Sequence, residues 1–571
     1  MTAEGTDSAG RLTWRSWGRC VGIPIAAVLL MVGGDLRSAL ASLEQPFTPF
    51  GPTVGARFHP IAIYNDGESW SRLEVWRPGG GGRAEAMLIN PLQALTTVHG
   101  NALTQMVTLW DTGTNGDCVA GDGIYTLAPV FSTFAPNQFG GRVQWNEYVL
   151  LFPSDGATVV APIAVVDDEL NYDTRLLGVD GAGNAIVASD YVVAIEDDGA
   201  VDGYYLGDFE NNHRSVLDKF YGVYGDVFDF VAIWSVMRTD MGANHHIRVR
   251  NDVTGIGGSL FDHSDSYGMP PESADRGNLD GVVYLNRGGE SVLGAMHHEL
   301  MHRWGVRFGT AWGIRFGNHW NGGSGFQSDY VADFVGALGG GAVEVNQDGS
   351  LQIEANSANA YADIELYLMG LLEAAALETH GIYVIDDAFE GGYQRVEIDG
   401  EDMVDTFGPR VPNVGQAQKE FSCAFVVMTP VGDPLSPAEF DLFSTAAEHF
   451  GSRELGDGLI AGSGVTTPMS FAAATGFRAS IETELPELDR IRARFRSIHY
   501  DIQERKIWVQ LDGVEGSRHE VMISRDLHHW DSLLSPIVIG SEGSHLFEIQ
   551  LDPNTQTFLQ TRELPTLAPM P

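Results

Sequence analysis

The stretch Ser291 to Gly305, SVLGAMHHELMHRWG, constrains this chain more than any other. Wound as an α-helix it places His298 and His302 four residues apart on one face, where both imidazoles can reach a single cation. Glu299 sits beside the first of them. Val292, Leu293, Met296, Leu300, Met301 and Trp304 supply the broad apolar cover of a helix that crosses a core. Gly305 is placed to end that helix in left-handed backbone. Upstream, Gly281 to Asn286 reads as a strand, so the sequence predicts a strand leading into a core helix. His297 is out of phase with the pair and reads as a spectator.

The donor set suits Zn²⁺. Zinc accepts imidazole nitrogen at about 2.0–2.1 Å, keeps one position open in catalytic sites and lowers the pKa of a water there to roughly 7. Glu299 is then within reach of that water as general base. A third ligand is needed, and a continuation HExxHxxGxxH does not supply it. Gly305 matches that pattern, but Phe308 stands where its last histidine would be. Two other residues are candidates. His319 lies in the short loop Gly317-Asn-His-Trp-Asn-Gly322, and Glu365 lies on the apolar helix beginning near Tyr361. His319 is preferred, because neutral imidazole suits zinc and the connecting loop is short. Met369 reads either as an apolar floor beneath the metal or as a core methionine. Tyr367, or His319 if it is not a ligand, is placed to donate to a developing oxyanion.

Charge limits the partners. The chain has 571 residues with 34 Lys and Arg against 76 Asp and Glu, a formal net charge of −42. Such a surface repels phosphate backbones, which argues against nucleic acid, and weakly against any anionic polymer substrate. The N-terminus reads as an export signal over residues 1–41. Arg11, Arg15 and Arg19 precede an apolar run from Val21 to Gly34, and Ala39-Leu40-Ala41 offers a small-residue cleavage site. The run is shorter than the ~20 residues of a spanning helix, although an uncleaved anchor stays open. The expected location is therefore secreted, periplasmic or cell-surface, with no membrane span left after cleavage. Cys118 and Cys423 either pair in an oxidising compartment or stand as separate thiols.

Residues 42–165 read as a β-sandwich. Runs such as Ser71–Trp76 and Val143–Leu151 alternate between Gly, Pro and Asn clusters. Inside lies the loop Leu109–Tyr125, whose Asp111, Asp117 and Asp122 either bind Ca²⁺ through carboxylate oxygens or cap their own glycine-rich turn; the turn is preferred. From 166 the texture is mixed, with a helix over Asn211–Tyr224, a strand over Phe228–Val236, and His245 and His246 as surface residues flanking a strand. A strand over Phe425–Met428 and a helix over Pro437–Phe450 follow. Beyond 481, Lys506–Leu511 and His519–Ser524 alternate like strands of a second sandwich.

Taken together, HELMHRWG, the following HW, the glycine-rich Ala337–Gly341 and IELYLMGL resemble a group of secreted bacterial zincin-like proteins, over about residues 200–475. The loop at 109–125 and the SRDLHHW stretch at 524–530 are similar to turns of β-sandwich modules in exported bacterial proteins. The resemblance implies a zinc-dependent peptidase with His298 and His302 as ligands and Glu299 as base. The expected architecture is multidomain: a signal peptide at 1–41, a sandwich at 42–165, an α+β zincin-like metallopeptidase domain at 166–480 and a second sandwich at 481–571. The expected activity is endopeptidase hydrolysis of a protein or peptide, held in extended form against an edge strand near Tyr284. Two alternatives stand beside it: an inactive surface binding or adhesion protein, and a zinc amide hydrolase acting on a cell-wall polymer.

Overall fold

A computed structural model describes residues 55–564, less 78–81, 90–94, 98–105, 116, 118, 122, 133–141, 180–184, 197–208, 225–226, 237–243, 265–277, 286–294, 323–328, 356–357, 359, 386–391, 430–432, 455–459, 463–468, 487–493, 502–505, 513–517, 525–529, 533–536, 539–543 and 551–557. The export signal at 1–41, Cys118, Asp122 and residues 525–529 of the SRDLHHW turn lie outside the described residues.

The expected α+β zincin-like domain between two sandwiches does not describe this chain, which is mostly β. Among the described residues 35 strands accompany six α-helices. Nine strands between residues 55 and 166 hydrogen-bond into one sheet, and Ile460–Gly462 joins it as the tenth from much later in the chain by pairing with Val143–Trp145. The segment after the histidine helix is also strand-rich. Gly339–Val345 and Leu351–Ala355 form a hairpin, and Asp329–Ala332, His380–Ile385 and Tyr393–Ile398 form a three-stranded antiparallel sheet. Alternation such as Val343, Val345, Leu351 and Ile353 around Asn346-Gln-Asp-Gly349 is a hairpin pattern, so the physical cause of the difference lies in the residues themselves. Asp348 holds that turn by accepting from the Ser350 backbone N–H at 3.0 Å.

The histidine helix packs on a central sheet of eight strands. They are β1 (Arg175–Val179), β2 (Ala185–Ala188), β3 (Val192–Glu196), β4 (Phe230–Ser235), β5 (His245–Arg248), β6 (Gly281–Leu285), β7 (Glu420–Thr429) and β8 (Ser480–Glu482). Their order is β1-β2-β3-β7-β4-β6-β5, with β8 beside the start of β7. The interior strands β3, β7, β4 and β6 run parallel, and β5 is an antiparallel edge. Interior parallel strands are covered on both faces and read as unbroken apolar runs; Val231-Ala-Ile-Trp234 and Phe425-Val-Val-Met428 do so. The pleat divides them. Val231, Ile233, Val282 and Val426 meet Val216, Leu217 and Phe220 of α1 (Phe209–Tyr224). Ala232, Trp234, Val283 and Phe425 face the other way, toward α2 (Ala295–Met301), α3 (Asp363–Met369), α4 (Gly400–Phe407), α5 (Pro437–Gly451) and α6 (Phe471–Ala474).

Two expectations at single positions change. Gly281–Leu285 is not an edge, because β5 covers it; among the described residues the edge of this sheet is His245–Arg248 and not the strand of Tyr284. Gly305 is not among the left-handed glycines. A Cβ there would lie 3.2 Å from the His302 Cα, so glycine serves close packing against the helix end.

Candidate metal centre

α2 delivers His298 and Glu299, and His302 sits in the turn that follows, its N–H donating to the Glu299 carbonyl at 3.1 Å. The helix axis is fixed by Met296, Leu300, Met301 and Trp304, all packed in the core. Arg303, only 2% exposed, tethers its end by donating to Asn251 Oδ1 at 3.2 Å, Asp252 Oδ1 at 3.1 Å and Asp280 Oδ2 at 3.1 Å.

His319 arrives from a loop held on both sides. The Tyr330 hydroxyl donates to its carbonyl at 2.7 Å and accepts from Gly317 N–H at 2.8 Å. Its neighbour Trp320 is fully buried and donates from its backbone to Leu338 at 3.0 Å. His298, His302 and His319 thereby converge, with ring centroids 5.0 Å apart in every pair. One nitrogen from each ring lies within 4.8 Å of the other two. The closest approach, His298 Nε2 to His319 Nε2, is 3.1 Å.

The tautomer of His298 follows from its partner. Nδ1 is 2.7 Å from the Ala337 carbonyl, which can only accept, so Nδ1 carries the proton and the neutral ring directs the Nε2 lone pair inward. A backbone carbonyl behind an imidazole is the usual support of a metal-ligating histidine. All three rings are held neutral. Burial lowers the pKa of His298; burial with the neighbouring histidines and Arg307 lowers His302 to about 2; burial, His298 and Arg307 lower His319 to about 4. Neutral imidazoles crowded around one point fit a cation, since lone pairs aimed at each other otherwise repel. The donor set therefore fits zinc.

Glu299 is 4% exposed, and its Oε2 is enclosed with no hydrogen-bond partner among the described residues. Desolvation pushes its carboxyl up to about 8.

Glu365, the other candidate third ligand, is occupied. Its Oε1 accepts from Trp320 Nε1 at 3.0 Å and Leu338 N–H at 2.9 Å, and its Oε2 from Ala337 N–H at 2.9 Å and Ala362 N–H at 3.0 Å. It stands behind the site, bonded to the residue that orients His298 and to the neighbour of His319. Gly336 permits this, since a Cβ there would fall 2.6 Å from Glu365 Oε2. Met369 and Tyr367 are buried in the same core, and the Tyr367 hydroxyl has no partner. His297 is buried and bonded to the Met469 carbonyl at 2.8 Å.

His246 was missed. It lies within β5, not beside it, with both ring nitrogens enclosed and unpartnered. The residue opposite, Val283, belongs to the core under α2, which puts His246 on the histidine face. The signal was the alternation of His246 and Arg248 with apolar Ile247 and Val249, which extends the strand back to include the histidine.

The remaining candidates lie elsewhere. Asp111 accepts from Gly121 N–H at 2.5 Å and Gly123 N–H at 3.3 Å, and Asp117 from Gly113 N–H at 2.5 Å and Val119 N–H at 3.2 Å. These carboxylates cap their own turn. Cys423 is a fully buried thiol inside β7.

No protein-family model matches this chain, and no curated protein matches it.

Proposed function

We propose that the chain is a zinc metallopeptidase, with His298, His302 and His319 as metal ligands and Glu299 as general base. The observation that carries this is the convergence of three neutral imidazoles beside an enclosed, unpartnered carboxylate. Zinc bound there would polarise a scissile carbonyl and acidify a water. Glu299 Oε2, with no donor of its own to satisfy, takes the proton of the attacking water and passes it to the leaving nitrogen. The Ala337 carbonyl keeps the proton of His298 on Nδ1, so that Nε2 stays a lone-pair donor throughout. An extended peptide would pair along β5, the last strand of the sheet among the described residues and the one that carries His246 into the same face. Export through the N-terminal signal fits an enzyme working outside the cytoplasm, and no described helix is long and apolar enough to cross a membrane.

The test is zinc content measured together with casein hydrolysis, on wild type and Glu299→Ala. One zinc per chain in both, with hydrolysis lost only in the variant, is expected. Folded wild type that takes up no zinc would sink the reading.

A further inference from the structure

We propose that Arg248 and Arg307 form a subsite beside the histidine cluster that binds a carboxylate of the peptide substrate. The inference rests on the peptidase reading and adds to it the class of substrate.

Acids outnumber basic residues by 76 to 34 in this chain, and most described arginines have a carboxylate within reach. Arg57, Arg72, Arg77, Arg142, Arg250 and Arg303 each reach a carboxylate. Among the described residues Arg248 and Arg307 reach no carboxylate, although both are half-buried; Arg410 reaches none either, but it donates to the Leu368 and Pro412 carbonyls. A guanidinium withdrawn from water without a counter-charge is costly.

Their positions are fixed by neighbours that leave donors free. Arg248, on the edge strand β5, lies over the Phe261 ring with its guanidinium carbon 5.0 Å from the centroid. Arg307 donates from Nη1 to Asn318 Oδ1 at 3.2 Å, and Asn318 directly precedes His319. Its Nε is enclosed without a partner. The two flank Gly258: a Cβ built there would lie 3.9 Å from Arg248 Nη1 and 4.0 Å from Arg307 Cβ. One arginine is thus on the strand where an extended peptide would pair, and the other is tied to the loop of the third histidine.

Both guanidinium groups are held below their ordinary range, Arg248 to about 10, by burial first and then by each other and Arg303 in the case of Arg248, and by burial in the case of Arg307. A carboxylate between them relieves that cost and receives charge-assisted, geometrically matched hydrogen bonds. The net charge of −42 repels acidic ligands from the surface at large. That field is screened beyond about 8 Å at physiological ionic strength, so a local uncompensated pair can still select an anion. The carboxylate can be an Asp or Glu side chain or a free peptide C-terminus.

The experiment uses fluorescent peptides in matched pairs: Asp against Asn and Glu against Gln at positions on either side of one cleavable bond, and C-terminal acid against amide. Equilibrium binding is measured on full-length zinc-loaded protein carrying Glu299→Gln, with wild-type hydrolysis run in parallel. At least one acid is expected to bind roughly tenfold tighter than its twin, and Arg307→Gln and Arg248→Gln should each pull that ratio toward one. Preference for side-chain acids, or for the C-terminal acid, supports the subsite and identifies its carboxylate. Ratios within about twofold for every pair overturn it, as does a preference that survives both substitutions. Acid preference without hydrolysis by wild type would uphold the subsite and overturn the peptidase reading alone. Should Arg307→Gln fail to fold, Arg248→Gln on the edge strand carries the test.

Discussion

Glu365 shows how a site residue can matter without touching the reacting atoms. It accepts four hydrogen bonds, and through Ala337 and Trp320 it braces two of the three histidines. Glutamine in its place keeps the shape but turns an amide NH₂ toward donors that are already N–H groups. Glu365→Gln should weaken zinc affinity by about 10–100-fold, the usual loss when an outer support of a metal ligand is removed, and shift the cobalt(II) absorption spectrum of folded protein. An unchanged dissociation constant and spectrum would mean that the bracing is irrelevant to the histidines. Glu299 makes a different prediction, for metal-free protein. Its folded carboxyl is raised to about 8 from an ordinary 4.5 by burial. The folded state therefore holds the proton more tightly than the unfolded chain does. The associated stability is full below pH 4.5 and is lost as pH rises through 8. Glu299→Gln cannot ionise, so its melting temperature should match wild type near pH 5 and exceed it near pH 9, by at most on the order of 5 kcal/mol in stability. Melting curves that stay parallel across that range would contradict the assignment.

At the scale of elements, α2 is held at its C-terminal end by Arg303, whose three acceptors come from the chain before β6 and from the segment after β5. Arg303→Met keeps the apolar stem and removes the charge, leaving Asn251 and the 4% exposed Asp280 with fewer partners. Breaking such a buried pair costs about 3–5 kcal/mol, which a fall in the urea midpoint at constant slope would register; a change under about 0.5 kcal/mol would remove Arg303 as the tether. The same element shows what sequence can and cannot reveal. The i, i+4 spacing of His298 and His302 and the apolar cover of Met296, Leu300 and Met301 are local, and the helix carrying them was legible. His319 was reachable because its loop is short. The role of Glu365 was not, because the amides of Ala337 and Leu338 that it binds are nearly thirty residues away, and only the folded chain brings them together. Arg307 is harder still: having no carboxylate partner among the described residues is a property of the tertiary structure, invisible in a chain full of acids. The strands between 329 and 398 were legible in principle, through the Asn346–Gly349 turn and its flanking alternation.

For the whole molecule, the decisive feature is that one of three apolar clusters draws together residues from both sides of position 165. Ile61, Trp145 and Val166 of the first sheet pack in one cluster with Trp234, Trp304 and Phe443. Helix α5 reinforces this with three acids turned toward the first sheet. Glu439 accepts from Ile61 N–H at 3.0 Å, Asp441 from the Tyr64 hydroxyl at 2.7 Å and Tyr172 N–H at 3.0 Å, and Glu448 from Arg142 at 2.5 Å. A domain that shares its core cannot lose half of it independently, because the newly exposed apolar surface would cost about 25 cal/mol per Å². Residues 55–485 should therefore unfold in one calorimetric transition. The strands beyond 494 are counted apart, since their buried Val521 and Ile537 belong to none of the three clusters. Asp441→Ala sharpens the test. It leaves the Tyr64 hydroxyl and the Tyr172 amide without their acceptor, a cost of about 1–3 kcal/mol per buried group. In a shared core the whole transition moves down together, and zinc release follows it even though Asp441 touches no metal ligand. In a chain of independent units only a peak belonging to the first sheet would move, and zinc would be released at the wild-type temperature. The hydrogen bonds across α5 favour the first outcome, because the helix that receives them also packs, through Phe443 and Phe450, in the core that holds α2 in place.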